Sequence, residues 1–395
     1  MGQSNSPYNL IIKPRGPLCN MACEYCYYLP KQSHYPGSVF KMSQKVLTTL
    51  TQQMIASQRG NQVDFIWQGG EPTLIGLDFF QEALRLQRQF ASSHTVINNA
   101  LQTNGLTITP AWCRFLRDNN FLVGISLDGP PYLHNPYRHD RVGRSQFDPL
   151  MRGIRLLKKH HVDFNILCCV HSKNVEQPLE VYRFLRDKIS TQFLQFIPII
   201  QRGLEGNGNE TTTITDFSIE ADAYGTFLST IFDEWVQFDV GKVFIQLFDT
   251  CLAVWSGHPS PLCNFAEVCG RSLVLEHNGD LYACDHFVDP KHRLGNITEM
   301  PIIQLVDSSQ QSAFGEAKRE TLPQVCLDCD VRYICNGGCP KNRGADGVNL
   351  LCAGYKTFFH HIDQSMQIMR DLLINRRPPA EIMQYSHPDQ RSQKS

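Results

Sequence analysis

Cys19-Asn20-Met21-Ala22-Cys23-Glu24-Tyr25-Cys26 is the stretch whose reading decides the fold. The apolar run Tyr8–Lys13 just before it reads as a β-strand, so the three cysteines occupy the loop that follows a strand. Sites on parallel sheets lie beyond the C-terminal ends of the strands. Three thiolates suit a four-iron cluster with one iron left open, and an open position is what a metal needs to activate a small molecule. The competing reading is a structural zinc knuckle that recruits His34 as its fourth ligand.

Working outward, five more runs rich in Val, Ile, Leu and Phe read as strands: Val63–Gln68, Val96–Thr103, Phe121–Leu127, Phe164–Val170 and Gln192–Ile200. Helical patterns lie between them at Ser43–Gln58, Leu77–Phe90, Pro110–Asn119, Phe147–His160 and Pro178–Lys188. Ser43 and Pro110 are helix-start residues. Strands alternating with helices indicate an α/β chain with a parallel sheet, and periodicity alone leaves a βα barrel and a doubly wound sheet both open. Gly203–Thr213 reads as a polar loop, and Phe217–Phe238 as a helix. From Cys263 to Cys352 the elements shorten and cysteine and glycine become frequent, which suggests a small domain held by metal. A helix over Tyr355–Ile374 closes the chain, and the tail from Arg376 is expected to be disordered. The expected division is 1–215, a connecting segment 216–262, a metal domain 263–352, and a helix with tail 353–395.

Bulk properties narrow the function. The net charge of −1 gives no basic field for nucleic acid. No run of apolar residues is long enough to span a membrane. The polar start, Met1 to Pro7, lacks a signal peptide's regions, so a cytoplasmic location is expected. There the odd count of 15 cysteines points to metal or redox chemistry, since disulfides do not persist in a reducing compartment.

The spacing Cys19-x3-Cys23-x2-Cys26, with Tyr25 before the third cysteine, resembles the radical S-adenosylmethionine superfamily. Gly69-Gly70-Glu71-Pro72 after the second strand resembles the motif that holds the methionine amino group in that superfamily. Thr103-Asn104-Gly105 and Ser126-Leu127-Asp128-Gly129 also match superfamily positions. The resemblance implies a partial (β/α)6 TIM-type barrel. It implies that Tyr25, Gly69, Gly70, Glu71, Ser126 and Leu194 contact the cofactor, with Arg138 or Arg141 reaching its carboxylate.

Farther on come Cys263-x5-Cys269-x14-Cys284, then Cys326-x2-Cys329-x5-Cys335-x3-Cys339 and Cys352. This pattern resembles the SPASM extension of radical enzymes that modify peptides. It implies two auxiliary [4Fe-4S] clusters besides the first. Cys263, Cys269, Cys284 and Cys339 would hold one, and Cys326, Cys329, Cys335 and Cys352 the other. Spacing alone equally permits Cys326, Cys329, Cys335 and Cys339 to share a metal, or structural zinc ribbons. Cys113, Cys168, Cys169 and Cys251 fit plain packing roles.

Trp67-Gln68-Gly69-Gly70-Glu71-Pro72-Thr73-Leu74, Leu101-Gln102-Thr103-Asn104-Gly105, Phe193-Leu194-Gln195-Phe196-Ile197 and Cys284-Asp285 resemble the anaerobic sulfatase-maturating enzymes. That family oxidises a Cys or Ser of a sulfatase to Cα-formylglycine through a 5′-deoxyadenosyl radical. The resemblance makes Asp285 the general base and places Tyr28 and Gln68 at the peptide site. It implies a sulfatase as substrate and a reductant such as flavodoxin or ferredoxin. Two alternatives stand beside it. One is a peptide maturase that forms thioether crosslinks, which often carries an added N-terminal peptide-binding domain for which strand one leaves no room. The other is a zinc-stabilised binding module.

Overall fold

The computed structural model describes residues 3–204 and 210–385. The chain divides into two compact units. The first comprises Met1–Ser126, Tyr137–Phe164 and Val268–Ala317, and the second Leu127–Pro136, Asn165–Glu267 and Lys318–Ser395.

In the first unit the strands β1 (Asn9–Ile12), β2 (Gln62–Trp67), β3 (Val96–Thr103) and β4 (Leu122–Ser126) pair in parallel, each with the next in sequence. The helices α1 (Gln44–Ser57), α2 (Leu77–Phe90) and α3 (Pro110–Asp118) alternate with them. Ser43 Oγ accepts from Val46 N at 3.2 Å and starts α1, whose inner face buries Val46, Leu47, Leu50 and Met54. Each such side chain removed from water stabilises the unit by roughly 1.5–3 kcal/mol. Thr109 caps α3, and Pro110 occupies its first turn, where a missing N–H costs nothing.

Three strands in the Cys-rich stretch were not legible in the sequence. Ser272–Leu275 adds to the free side of β1 in parallel, and Asp280–Tyr282 and Arg293–Asn296 continue the sheet antiparallel. The helix Ser309–Glu320 was also missed. These strands are three or four residues long, too short to show a period.

In the second unit β5 (Phe164–Val170) and β6 (Phe193–Pro198) are parallel, and a short strand Phe244–Ile245 follows β6 in parallel. The helix expected over Pro178–Lys188 is α-helical to Arg183 and π-helical over Phe184–Lys188. Ala221–Phe238 packs on Cys352–Ile374 where Gly225 meets Gly354. A Cβ at Gly354 would lie 1.9 Å from the Ala221 carbonyl oxygen, so only glycine allows that approach. The closing helix starts at Cys352 rather than Tyr355, which makes that cysteine its first residue. The expected polar loop is partly strand: Arg202–Leu204 pairs antiparallel with Glu210–Ile214, and residues 205–209 lie outside the described residues.

The tail expectation is corrected as far as Tyr385. Pro379–Gln384 forms a 3-10 turn with Ile382 buried, because an apolar side chain there finds a core. Residues 386–395 lie outside the described residues. Among the described residues no closed barrel forms, and no helix is long and apolar enough to cross a membrane.

Candidate active site

The register of three parallel strands builds one edge of the site. Ile12 pairs with Trp67 on one side and Leu275 on the other. The next residue of each strand therefore stands in a row: Glu276, Lys13 and Gln68. Lys13 N donates to Leu275 O and Gln68 N to Ile12 O, both at 2.9 Å. Lys13 and Glu276 are completely buried.

Buried charges require partners. Lys13 Nζ lies 2.6 Å from Asp285 Oδ1 and 4.4 Å above the centre of the Tyr28 ring. Tyr28 OH donates to Glu276, with both carboxylate oxygens at 2.8 Å. Tyr27 OH donates to Asp285 Oδ2. Burial pushes the Asp285 carboxyl up, but the charges of Lys13 and His286 and hydrogen bonds from Lys13 and Tyr27 outweigh it. The carboxyl is held below its ordinary value and stays ionised. Burial holds the His286 imidazole below its ordinary value and raises the phenols of Tyr27 and Tyr28.

The loop after β1 carries Cys19, Cys23 and Cys26. Ala22 N donates to His139 O at 2.9 Å and Glu24 N to Tyr137 O at 3.1 Å, so backbone bonds fix its course. Gly70 adopts a φ of 48° against this loop, and a Cβ there would lie 2.2 Å from Leu18 O. Glu71 is buried beside it, and burial raises its carboxyl above the ordinary value. It accepts from Asn104 N at 2.8 Å, Thr103 Oγ1 at 2.7 Å, Thr73 N at 3.0 Å and Thr73 Oγ1. Asn104 Nδ2 in turn reaches Asn20 Oδ1 at 2.7 Å and Cys19 Sγ at 3.8 Å.

The Arg138 guanidinium is buried 5.3 Å over the Tyr25 ring, and the exposed Arg141 donates to Cys19 O at 3.3 Å. Ser126 ends β4, half-buried, and Leu194 is buried in β6 of the second unit.

The thiols fit an iron-bearing group. Burial, with Glu71 and Cys26 nearby, pushes the Cys19 thiol up to about 12. A thiolate is unfavourable there unless a cation sits beside it, and a coordinated metal deprotonates a thiol outright. In the second unit Cys326, Cys329, Cys335 and Cys352 line one cavity of about 450 Å³, with Arg332 and Lys356 at its wall. Burial and the other three sulfurs push the Cys335 thiol up to about 11. Among the described residues no three His, Cys, Asp or Glu stand at single-ion spacing. Cys263 and Cys339 belong to the second unit, Cys269 and Cys284 to the first.

Of the residues expected from sequence, the first unit brings together Cys19, Cys23, Cys26, Tyr25, Glu71, Arg138 and Arg141 around one loop. It gathers Tyr28, Gln68 and Asp285 at the strand ends. Lys13, Glu276 and Tyr27 were missed. The available signal was Lys13 itself, a charged residue closing the first strand run, where barrel sites are built.

Comparison with known proteins shows the family. Residues 14–185 match the radical SAM superfamily, and 263–330 match an iron-sulfur cluster-binding domain, SPASM. The chain is 43% identical over 95% of its length to a serine-type anaerobic sulfatase-maturating enzyme of Bacteroides thetaiotaomicron, covering 94% of that protein. It is 34% identical over 90% of its length to a cysteine-type enzyme of Clostridium perfringens, covering 96% of it. The solved structure of anSMEcpe with bound AdoMet and Cp18Cys peptide superposes with a TM-score of 0.83 at 33% identity, over 92% of this chain and 99% of that one. With both domain matches and near full-length likeness in hand, the chain belongs to the anaerobic sulfatase-maturating enzymes, radical S-adenosylmethionine enzymes with a SPASM iron–sulfur domain.

Proposed function

We propose that this chain oxidises one residue of a sulfatase to Cα-formylglycine, with Asp285 as the general base. The carrying observation is the buried carboxylate of Asp285, 2.6 Å from Lys13 Nζ and accepting from Tyr27 OH, with the same Nζ 4.4 Å over the Tyr28 ring. Three [4Fe-4S] clusters serve it. Cys19, Cys23 and Cys26 hold the one that binds S-adenosylmethionine. Cys263, Cys269, Cys284 and Cys339 hold a second, and Cys326, Cys329, Cys335 and Cys352 a third. When bound, these groups and S-adenosylmethionine supply a 5′-deoxyadenosyl radical that removes hydrogen from the target Cβ, and an acceptor for the second electron. Asp285 takes the proton of the target hydroxyl or thiol. Glu71 fixes the loop edge that faces the cofactor through Asn104, and Arg138, buried against Tyr25, is better enclosed than Arg141 to meet a carboxylate. Tyr28 and Gln68 line the peptide path.

The greater identity to a serine-type than to a cysteine-type relative supports a seryl target. The protein would act in the reducing cytoplasm, with flavodoxin or ferredoxin as electron donor. The test is anaerobic reconstitution with reductant and S-adenosylmethionine, offering Ser-x-Pro-x-Arg and Cys-x-Pro-x-Arg peptides. Mass spectrometry should show aldehyde with matching 5′-deoxyadenosine, faster on the seryl peptide. Deoxyadenosine with an unchanged peptide would move the substrate elsewhere, and a preparation rich in zinc without iron or sulfide would remove the radical chemistry.

A further inference from the structure

Lys13 has an unusual path. Its backbone is fixed by the ladders on both sides of β1, and its aliphatic stem crosses the face of Gly69. A Cβ on Gly69 would lie 2.0 Å from Lys13 Cδ, so the glycine makes the passage through which the lysine reaches the site. The stem ends in a single atom, Nζ, that touches two functional groups. It lies 2.6 Å from Asp285 Oδ1 and 4.4 Å over the Tyr28 ring. The other end of that ring is fixed by the hydroxyl bond to the buried Glu276 carboxylate, which stands next to Lys13 in the strand register.

We infer that Lys13 is the positioning residue of this centre, setting Asp285 and Tyr28 in one fixed arrangement, with Glu276 locking the outer end of Tyr28. The inference rests on the reading of Asp285 as base. A planar ring and a carboxylate held by the same ammonium cannot be misplaced independently, and a misplacement of about 1 Å in such groups can cost a hundredfold in rate. An ammonium is attracted both to a carboxylate and to the face of a phenol ring, and the two attractions strengthen when water is excluded. Loss of Lys13 therefore disturbs proton removal and peptide placement together, while the loop of Cys19, Cys23 and Cys26 keeps its own backbone anchors.

The experiment compares wild type, Lys13→Met, Glu276→Gln, Asp285→Asn and Lys13→Met/Asp285→Asn, each reconstituted without oxygen. Methionine keeps the stem and removes the charge. Lys13→Met should retain iron content and peptide-dependent 5′-deoxyadenosine. Its aldehyde per deoxyadenosine should fall at least tenfold, and its KM for the peptide should rise. Glu276→Gln should raise KM and leave the coupling ratio within about twofold, because its carboxylate holds the Tyr28 hydroxyl, with His277 Nδ1 at 3.6 Å, and not Asp285. Independently of turnover, the double variant should unfold at a higher temperature than Lys13→Met, since it no longer buries an unpaired carboxylate.

An unchanged coupling ratio in Lys13→Met would overturn the inference, as would a double variant no more stable than Lys13→Met. Should Lys13→Met fail to fold, the double variant is compared with Asp285→Asn, and an equal peptide KM would overturn the hold on Tyr28. Full aldehyde yield from Asp285→Asn would instead sink the base reading. That outcome is separable, because the KM effect through Tyr28 would remain.

Discussion

Among the described residues each unit buries one lysine almost completely, and the two lysines do different work. Lys13, at a strand end in the first unit, meets a carboxylate and an aromatic ring. Lys318, in the second unit, donates to the backbone carbonyls of Cys263 and Asn264, both at 2.9 Å, and of Ala266. Arg343 repeats the second pattern, donating to Lys318 O at 2.8 Å, Gly337 O at 3.3 Å and Thr321 Oγ1 at 3.1 Å. The difference follows from what surrounds each residue. In the sheet, neighbouring strands satisfy the backbone, so a buried cation is free to serve a side chain. The loop 263–266 belongs to no strand among the described residues, and a cationic side chain supplies donors to its carbonyls. Chemistry is thus mounted on the ladder, while the loop carrying Cys263 is built by side chains.

The largest effect is expected where the comparison concerns catalysis. Asp285→Asn keeps the shape of the site but removes the base. It should lower aldehyde formation by about a hundredfold or more while S-adenosylmethionine cleavage continues. Deoxyadenosine and aldehyde, followed together by mass spectrometry, check it, and an undiminished aldehyde yield would leave Lys13 paired to a structural carboxylate. Next comes stability. Lys318→Met removes the buried ammonium that three carbonyls share and should cost about 3 kcal/mol in urea unfolding of the reconstituted protein. Hydrogen exchange should quicken over 263–267 and stay unchanged over 19–26. Equal quickening in both loops would erase the distinction between ladder-mounted and side-chain-built regions. Thr103→Val, which removes the 2.7 Å bond to Glu71, should cost about 1.5 kcal/mol, since three other donors still reach that carboxylate.

The same contrast explains what could be read in advance. Val96–Thr103, Phe164–Val170 and Leu77–Phe90 came out with the bounds read from sequence, because period and flanking turn residues are local properties. The cysteine spacings and Asp285 were legible through a family pattern. Ser272–Leu275 was not, since it becomes a strand only by pairing with β1, far away in sequence. Lys13 and Glu276 were hidden for the same reason: their meaning comes from a register that sets Ile12 beside Leu275. Lys318 lies in an amphipathic helix, where a lysine ordinarily reads as solvated surface.

The smallest expected effect supplies the scale for the others. Ser43 Oγ accepts one backbone N–H, that of Val46, at the start of α1. Ser43→Ala should cost about 1 kcal/mol, the usual loss when a helix cap is removed. Urea unfolding under the same conditions as Lys318→Met measures it, with no change expected in iron content or in hydrogen exchange of the cysteine loops. One backbone partner is lost at Ser43 and three at Lys318, so the two losses should differ by roughly threefold if the buried ammonium acts as a set of backbone partners. Similar losses would mean that the carbonyls of Cys263, Asn264 and Ala266 find other donors when Lys318 is gone. The loop would then be held by its packing, Phe265 against Tyr355 and Phe359, and not by the lysine.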